Sequence, residues 1–453
     1  MRYTAYKPLD ELWLTTIPSH WQARKIKYLF SERSEKGYPD EPLLVASQNM
    51  GVVPKDVYGN RTVEATKDLH LLKLVRIGDF VISLRSFQGG LEYAHYQGII
   101  SPAYTIIVPN ELLTSGYFRY LAKSRLFIEL LQMCVTGIRE GQNIDYTKLK
   151  NHQIPVPPRE EQDQMVRYLD WQVSKINKLI SARKKQIVLL DELRRSITCH
   201  CVINGVDGNI KRKETEINWI DHIPEHWNVL FLSQVATEQA IKNTGLIEKN
   251  LLSLSYGRIV NKDINTAEGL LPASFEGYQI IHPGNIILRL TDLQNDHKSL
   301  RVGLSTQTGI ITSAYTCLKV RDNILPEYLY LQLHSADICK VFYGMGGGVR
   351  QSIGYKDIRK MPVVVPPIEE QKLIVQKIHT LIAPFDTHIG KLNEKILHLS
   401  EYRTRLISDV VTGQIDVRDI VIPEYEYVEE EPEELDEQSD EIEGEEESVE
   451  QEE

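Results

Sequence analysis

Two stretches of the chain repeat a seam position at alternating steps of three and four residues, eleven times each. The first runs Val166, Leu169, Val173, Ile176, Ile180, Arg183, Ile187, Leu190, Arg194, Ile197 and Cys201. The second runs Val375, Ile378, Ile382, Phe385, Ile389, Leu392, Ile396, Leu399, Arg403, Leu406 and Val410, in the same register. This is the spacing of alternating a and d heptad positions, and it predicts two long coiled-coil helices. A seam of about 35 residues spans on the order of 50 Å at 1.5 Å per residue. Arg194 and Arg403 hold matching seam positions and read as register or partner contacts. Pro384 lacks an N–H and crowds the turn before it, so it predicts a kink or a restart in the second helix.

Ahead of each seam the pattern changes. Short β-branched and aromatic runs alternate with Gly, Pro and Asn, interrupted by a helical stretch near 114–132 and again near 326–342. That texture predicts a mixed α/β domain before each helix. Pro157-Pro158 and Pro366-Pro367 close the globular parts, and Glu160-Glu161 and Glu369-Glu370 sit where a helix N-terminus favours negative charge.

The two halves are copies. "TTIPSHW" (15–21) returns as "DHIPEHW" (221–227), with Trp13 and Trp219, Pro18 and Pro224, and Trp21 and Trp227 each 206 positions apart. Gly78 and Gly284 keep that offset, "SPAYTIIV" (101–108) answers "TSAYTCLKV" (312–320), and "IPVPPREEQ" (154–162) answers "VVVPPIEEQ" (363–371). A period of roughly 200 residues is a tandem duplication of whole domains, not a solenoid. If the second helix packs antiparallel on the first, the result is a dumbbell with approximate two-fold symmetry inside one chain.

Charge divides the chain differently. The net charge of −11 conceals 18 acidic residues and no Lys or Arg between Glu424 and Glu453, which leaves 52 basic against 45 acidic residues in 1–423. A like-charge block of this kind predicts disorder from 421 to 453. It reads either as a solubilising appendage or as a nucleic-acid mimic that shields basic surface. The mildly basic body permits a polyanionic partner without requiring one. No apolar run reaches the length of a membrane span, the N-terminal residues lack a secretory core, and five cysteines without framework spacing suggest a reducing compartment, so the expected location is the cytoplasm.

The repeated W-x-x-x-I-P-x-H-W opening, the V-P-P-x-E-E-Q junctions and the heptad helices after them resemble the specificity subunits of type I restriction-modification enzymes. The likeness covers about positions 10–420, twice over and in order. It implies two target recognition domains (1–158 and 206–367), each followed by a coiled-coil helix (159–205 and 368–420). Each domain would read one half of a bipartite, asymmetric double-stranded DNA target. The helices would set the unread spacer and carry two modification (methyltransferase) subunits, through which restriction subunits join. The family's specificity subunit is not an enzyme and binds no cofactor; S-adenosylmethionine, ATP and Mg belong to its partners. A non-enzymatic protein-binding adaptor with a coiled-coil spacer is the competing reading of the same residues.

Motif chemistry agrees with a chain that has no catalytic residues. "GMGGGVRQS" (344–352) lacks the lysine and spacing of a phosphate loop, and neither V-P-P stretch has the Asn or Asp of an amino-methyltransferase. Pro39-Asp40 is not followed by the E-x-K of a common nuclease site. Cys199-His200-Cys201 lacks a second ligand pair, so no metal is expected. For base reading, "LRSFQGG" (84–90) offers Arg85, Ser86 and Gln88 beside glycines that allow close approach, and the equivalent stretch of the second repeat offers Thr291, Gln294 and Asn295. A solvated polar turn is the alternative for both. Arg139 with Gln142, and Arg350 with Gln351 and Ser352, recur beside glycines in both repeats. A shared feature suits phosphate, which is the same everywhere, better than bases; pairing with a local carboxylate is the alternative.

Overall fold

In the computed structural model, residues 2–48, 50–58, 68–83, 86–136, 143–207, 209–262, 274–291, 293, 299–345 and 353–428 are described. Each double proline hands the chain to one uninterrupted helix, Arg159–Asn204 and Ile368–Val411, with Glu160, Glu161, Glu369 and Glu370 in their first turns. The chain divides into two compact units, and both dividing points fall inside these helices. The first unit joins Met1–Lys184 to Leu392–Glu434, and the second is built on Lys185–Lys391.

The first unit is organised by a four-stranded antiparallel sheet in the order Phe30–Arg33, Thr105–Pro109, Phe80–Ile82, Glu92–Tyr93. Successive strand residues face opposite sides. Phe80 and Ile107 therefore join the main core, while Val81 and Ile106 join a smaller cluster with Leu44, Val52, Val75 and Ile100. Beyond that second face lie the paired strands Lys73–Val75 and Gly98–Ile100 and the hairpin Leu44–Ser47 with Gly51–Pro54. Helices Ser115–Ala122 and Arg125–Met133, capped by the Thr114 and Ser124 hydroxyls, cover the main-core side.

The second unit repeats this plan with different side chains. Its sheet runs Ala236–Glu238, Thr316–Val320, Ile286–Leu288, Val302–Leu304. Ile286 and Leu318 face the main core, and Ile287 and Cys317 face a smaller cluster with Leu252, Ile281 and Ile311. One helix, Pro326–Ile338, stands where the first unit has two. The mixed α/β domains expected before each helix are present in both units.

Within each unit the two long helices run antiparallel. In the first, Arg403 donates to Asn177 at 2.9 Å, and Leu399 and Lys395 lie beside Leu179 and Arg183. In the second, Arg194 pairs with Asp386 at 2.6 Å, and Lys377 donates to the carbonyl of Val206. The two seam arginines thus hold register contacts inside the protein.

The closing contacts of each unit come from the far end of the other repeat's helix. Tyr117 donates its hydroxyl proton to the carbonyl of Val411 at 2.8 Å, and Tyr328 does the same to Val202 at 3.2 Å. Gly413, at φ +79°, then passes under Pro18 and Trp21; Gly205, at φ +73°, passes under Trp227.

Three expectations change. Of the kink or restart expected at Pro384, the restart does not occur: the second helix runs on through it, because the lost backbone donor lies on an exposed turn and leaves the flanking turns intact. It ends at Val411 rather than 420, since Gly413 takes the left-handed conformation that terminates helices. Residues 421–428, assigned to the disordered tail by charge, instead lie along the first helix. Gln164 donates to the carbonyls of Val417 and Ile420, Ser174 donates to that of Glu426 and accepts from the Val428 N–H, and Asn177 donates to the Val428 carbonyl.

A side chain at Gly413 would combine left-handed strain with a collision against the Pro18 ring, whereas at Gly205 the nearest atom stands 3.1 Å away. Gly413→Ala is expected to destabilise the first unit by about 1–3 kcal/mol, and more than Gly205→Ala destabilises the second. Hydrogen exchange in Thr105–Pro109 and in Thr316–Val320 measures each unit separately.

Candidate nucleic-acid interface

The V-P-P-x-E-E-Q junction is a structural lock. Glu161 is buried and accepts from Trp21 Nε1 at 3.1 Å, from the Tyr3 hydroxyl and from His20 Nε2. Gln162, also buried, accepts from the Thr114 N–H and donates to the carbonyls of Leu112 and Pro157. In the second unit Glu370 meets His226 at 2.8 Å, and Gln371 accepts from the Leu325 N–H and donates to the Pro366 carbonyl. The opening phrase and the junction recur together because each fixes the start of a long helix to its domain.

The loops that could read bases follow the central strands Phe80–Ile82 and Ile286–Leu288, and the two are held by different chemistry. In the first unit the chain turns into a short helix, Ser86–Gly89. Ser86, expected among the base-reading residues, is fully buried: its hydroxyl accepts from the Ser83 N–H at 2.9 Å and donates to Glu92 at 2.7 Å. It shapes the loop and does not reach out of it, because an enclosed carboxylate needs donors. Burial pushes the Glu92 carboxyl above the usual carboxylate range, opposed by the Ser86 bond and the Lys123 charge. Lys123 Nζ donates to the carbonyls of Gln48 and Gly89, at 2.9 and 2.8 Å, and so pins the loop to its neighbour. Gln88 is exposed, and its carbonyl oxygen lies 3.4 Å from the Gln48 amide nitrogen. Gln48 and Lys123 were not singled out in the sequence, and no local pattern marks them: both reach the loop from distant segments.

In the second unit a fully buried arginine replaces that arrangement. Arg301 Nη1 donates to the carbonyls of Thr291, at 2.6 Å, and Arg289, while Nε donates to the Tyr343 hydroxyl at 3.1 Å. Its backbone N–H donates to Asp337 at 2.6 Å. Thr291 is half-buried, and its carbonyl is the group Arg301 holds. Arg85, Gln294 and Asn295 lie outside the described residues, as do all five phosphate candidates: Arg139, Gln142, Arg350, Gln351 and Ser352.

The hairpin Leu252–Ser255 with Arg258–Asn261 turns at Tyr256-Gly257, both at positive φ, and Gly257 rests on His334. Among the described residues no cluster of His, Cys, Asp and Glu could hold a metal, and no helix is long and apolar enough to cross a membrane.

The model of the type I restriction modification DNA specificity domain matches residues 18–189 and again 224–398. The chain belongs to that family. Its two matched segments are the two repeats, each with the first part of its long helix. The putative type I restriction enzyme MjaX specificity subunit of Methanocaldococcus jannaschii is 23% identical over 439 residues, covering 89% of this chain and 95% of that one. The EcoKI specificity subunit of Escherichia coli K12 is 22% identical over 332 residues, 68% of each chain. A solved chain described for complex assembly and conformational transition of the type I R-M system superposes with TM-score 0.58 at 13% identity, over 88% of this chain and 99% of that one. That likeness shows the fold. As a type I specificity subunit the chain is a DNA-recognition component, and the two loop systems above lie in its two specificity domains.

Two outcomes check the supports. Arg301→Met leaves buried carbonyls without their donor and is expected to cost the second unit on the order of 3–5 kcal/mol, read by its thermal unfolding. His334, beneath the hairpin turn, has its pKa lowered to about 4, by burial first and then by Arg195 and Arg194. The unfolded imidazole takes up its proton near pH 6.5 while the folded one does not. Stability of the second unit is therefore expected to fall by about 3 kcal/mol as pH drops from above 6.5 to below 4, and His334→Gln to flatten that slope.

Proposed function

We propose that each specificity domain reads one half of a bipartite, asymmetric double-stranded DNA target. The observation that carries this reading is one frame built twice whose equivalent loops rest on unrelated supports: Ser83, Ser86, Glu92 and Lys123 in one unit, Arg301 in the other. A frame that docks on DNA can be shared, whereas surfaces that discriminate different bases have to differ. Gln88 and Gln48 present side-chain amides of the kind that bond adenine in the major groove. Arg85, Gln294 and Asn295 belong to the same loops by sequence. Arg139, Gln142, Arg350, Gln351 and Ser352 are assigned to phosphate, because the pattern recurs in both repeats.

The chain itself is read as non-catalytic and cytoplasmic. Methyltransferase subunits dock on the long helices, bring S-adenosylmethionine, and connect restriction subunits that use ATP and Mg. The length of the two helices sets the number of unread base pairs between the half-sites.

Exchanging residues 1–158 for the equivalent part of a relative with another target, and mapping methylated sites in cells that also carry the partner subunits, tests this reading. One half of the methylated motif is expected to change and the other to persist. Loss of both halves from a folded, assembled complex would refute independent reading.

A further inference from the structure

The domain helices of the two units keep one register. Tyr117 and Tyr328 make matching bonds, to the carbonyls of Val411 and Val202. Three residues before each tyrosine, the N–H of Thr114 or Leu325 donates to the junction glutamine, Gln162 or Gln371. Six residues after each tyrosine stand Lys123 and His334, which are therefore equivalent positions with unlike side chains.

Both positions meet the same hairpin turn. In the first unit the turn follows Leu44–Ser47. Lys123 Nζ donates to the carbonyl of Gln48 in that turn at 2.9 Å, and to that of Gly89, in the loop after the central strand, at 2.8 Å. A side chain at Gly89 would stand 3.2 Å from that of Gln48, so turn and loop already touch. In the second unit the turn is Tyr256-Gly257. A side chain at Gly257 would stand 3.2 Å from the His334 ring, 3.2 Å from Leu300 and 3.4 Å from the Val302 carbonyl, where the chain returns from its loop. The Tyr330 hydroxyl donates to the Gly257 carbonyl at 3.3 Å, and the Tyr330 ring stacks on His334 at 5.5 Å. Gln88 and Tyr256, both exposed, stand on the segments so held.

We propose that Lys123 and His334 are the positioning residues of the two reading surfaces. Each holds the hairpin turn against the loop after the central strand, so that the two segments present one surface to a half-site of double-stranded DNA. The position is shared and the chemistry is not: an ammonium ties two carbonyls together, whereas the imidazole seats a turn by contact. Side chains that touch bases discriminate only as well as the residues behind them fix their placement. The inference rests on the half-site reading and adds to it one residue per domain that governs base discrimination without touching a base.

Methylated sites mapped in cells that carry each variant with the partner subunits test it. Lys123→Met keeps the stem and removes the donor. It is expected to relax discrimination in the half-motif read by residues 1–158 by about tenfold, the worth of one well-placed base contact, and to leave the other half strict. Lys123→Arg, which can still donate to both carbonyls, is expected to recover it, and His334→Ala to relax only the other half. Hydrogen exchange in the intact chain separates positioning from folding: Lys123→Met is expected to speed exchange in Gly51–Pro54 and leave Thr105–Pro109 protected. A strict motif from an assembled Lys123→Met complex would overturn the proposal, as would equal relaxation of both halves or exchange rising throughout the first unit. An exchange of residues 1–158 that alters both halves removes the half-site reading and this proposal with it. A well-behaved exchange beside a strict Lys123→Met motif removes the proposal alone.

Discussion

Each unit is closed by a helix end that the other repeat supplies. Trp21 packs edge-on against Tyr3 of its own repeat, and Gly413, nearly four hundred residues along the chain, closes over the end of its ring. Trp227 is covered by Gly205 in the same manner. Both tryptophans are fully buried, and a buried aromatic of this size contributes heavily to a core only while its cover is in place. The two tyrosine bonds to Val411 and Val202 are likewise made across repeats. Neither domain is therefore complete with its own residues alone, and both long helices are needed for either unit to close.

The glutamate and glutamine of each junction complement that arrangement. They anchor the start of a helix to the domain that precedes it, while the glycine after its end anchors it to the other. Buried polar side chains with all partners met in protein give direction as well as stability. Glu161 takes three donors, and Gln162 spends both ends of its amide on backbone. What is left variable is the loop after each central strand, where the supports differ completely between units.

Much of the architecture was legible because it is periodic or repeated. The heptad seam fixed both helices to within a few residues at their starts, and the double prolines with paired glutamates marked those starts. The mixed α/β texture follows from strand alternation that the structure resolves into two core faces. Other features had no local signature. Ser86 looked like a contact residue because serine beside glycine suits either a loop surface or a buried turn, and only the distant carboxylate of Glu92 decides which. Arg301 looked like one more charged residue; its burial depends on carbonyls at 289 and 291 and on Asp337, which meet only in the fold. The stretch 421–428 was assigned by charge to the tail, yet its backbone bonds Ser174 and Asn177, whose polar side chains carry no mark of that role in sequence.

The most direct measurement of whether the shared helices set the reading frame is the spacer of the methylated motif after both are shortened by one heptad. Deleting Ile180–Gln186 together with Ile389–Lys395 keeps the seam register and removes about 10 Å, roughly three base pairs of reach. The account expects both half-sites to be read still, with a spacer shorter by about that number. An active complex with an unchanged spacer would contradict it.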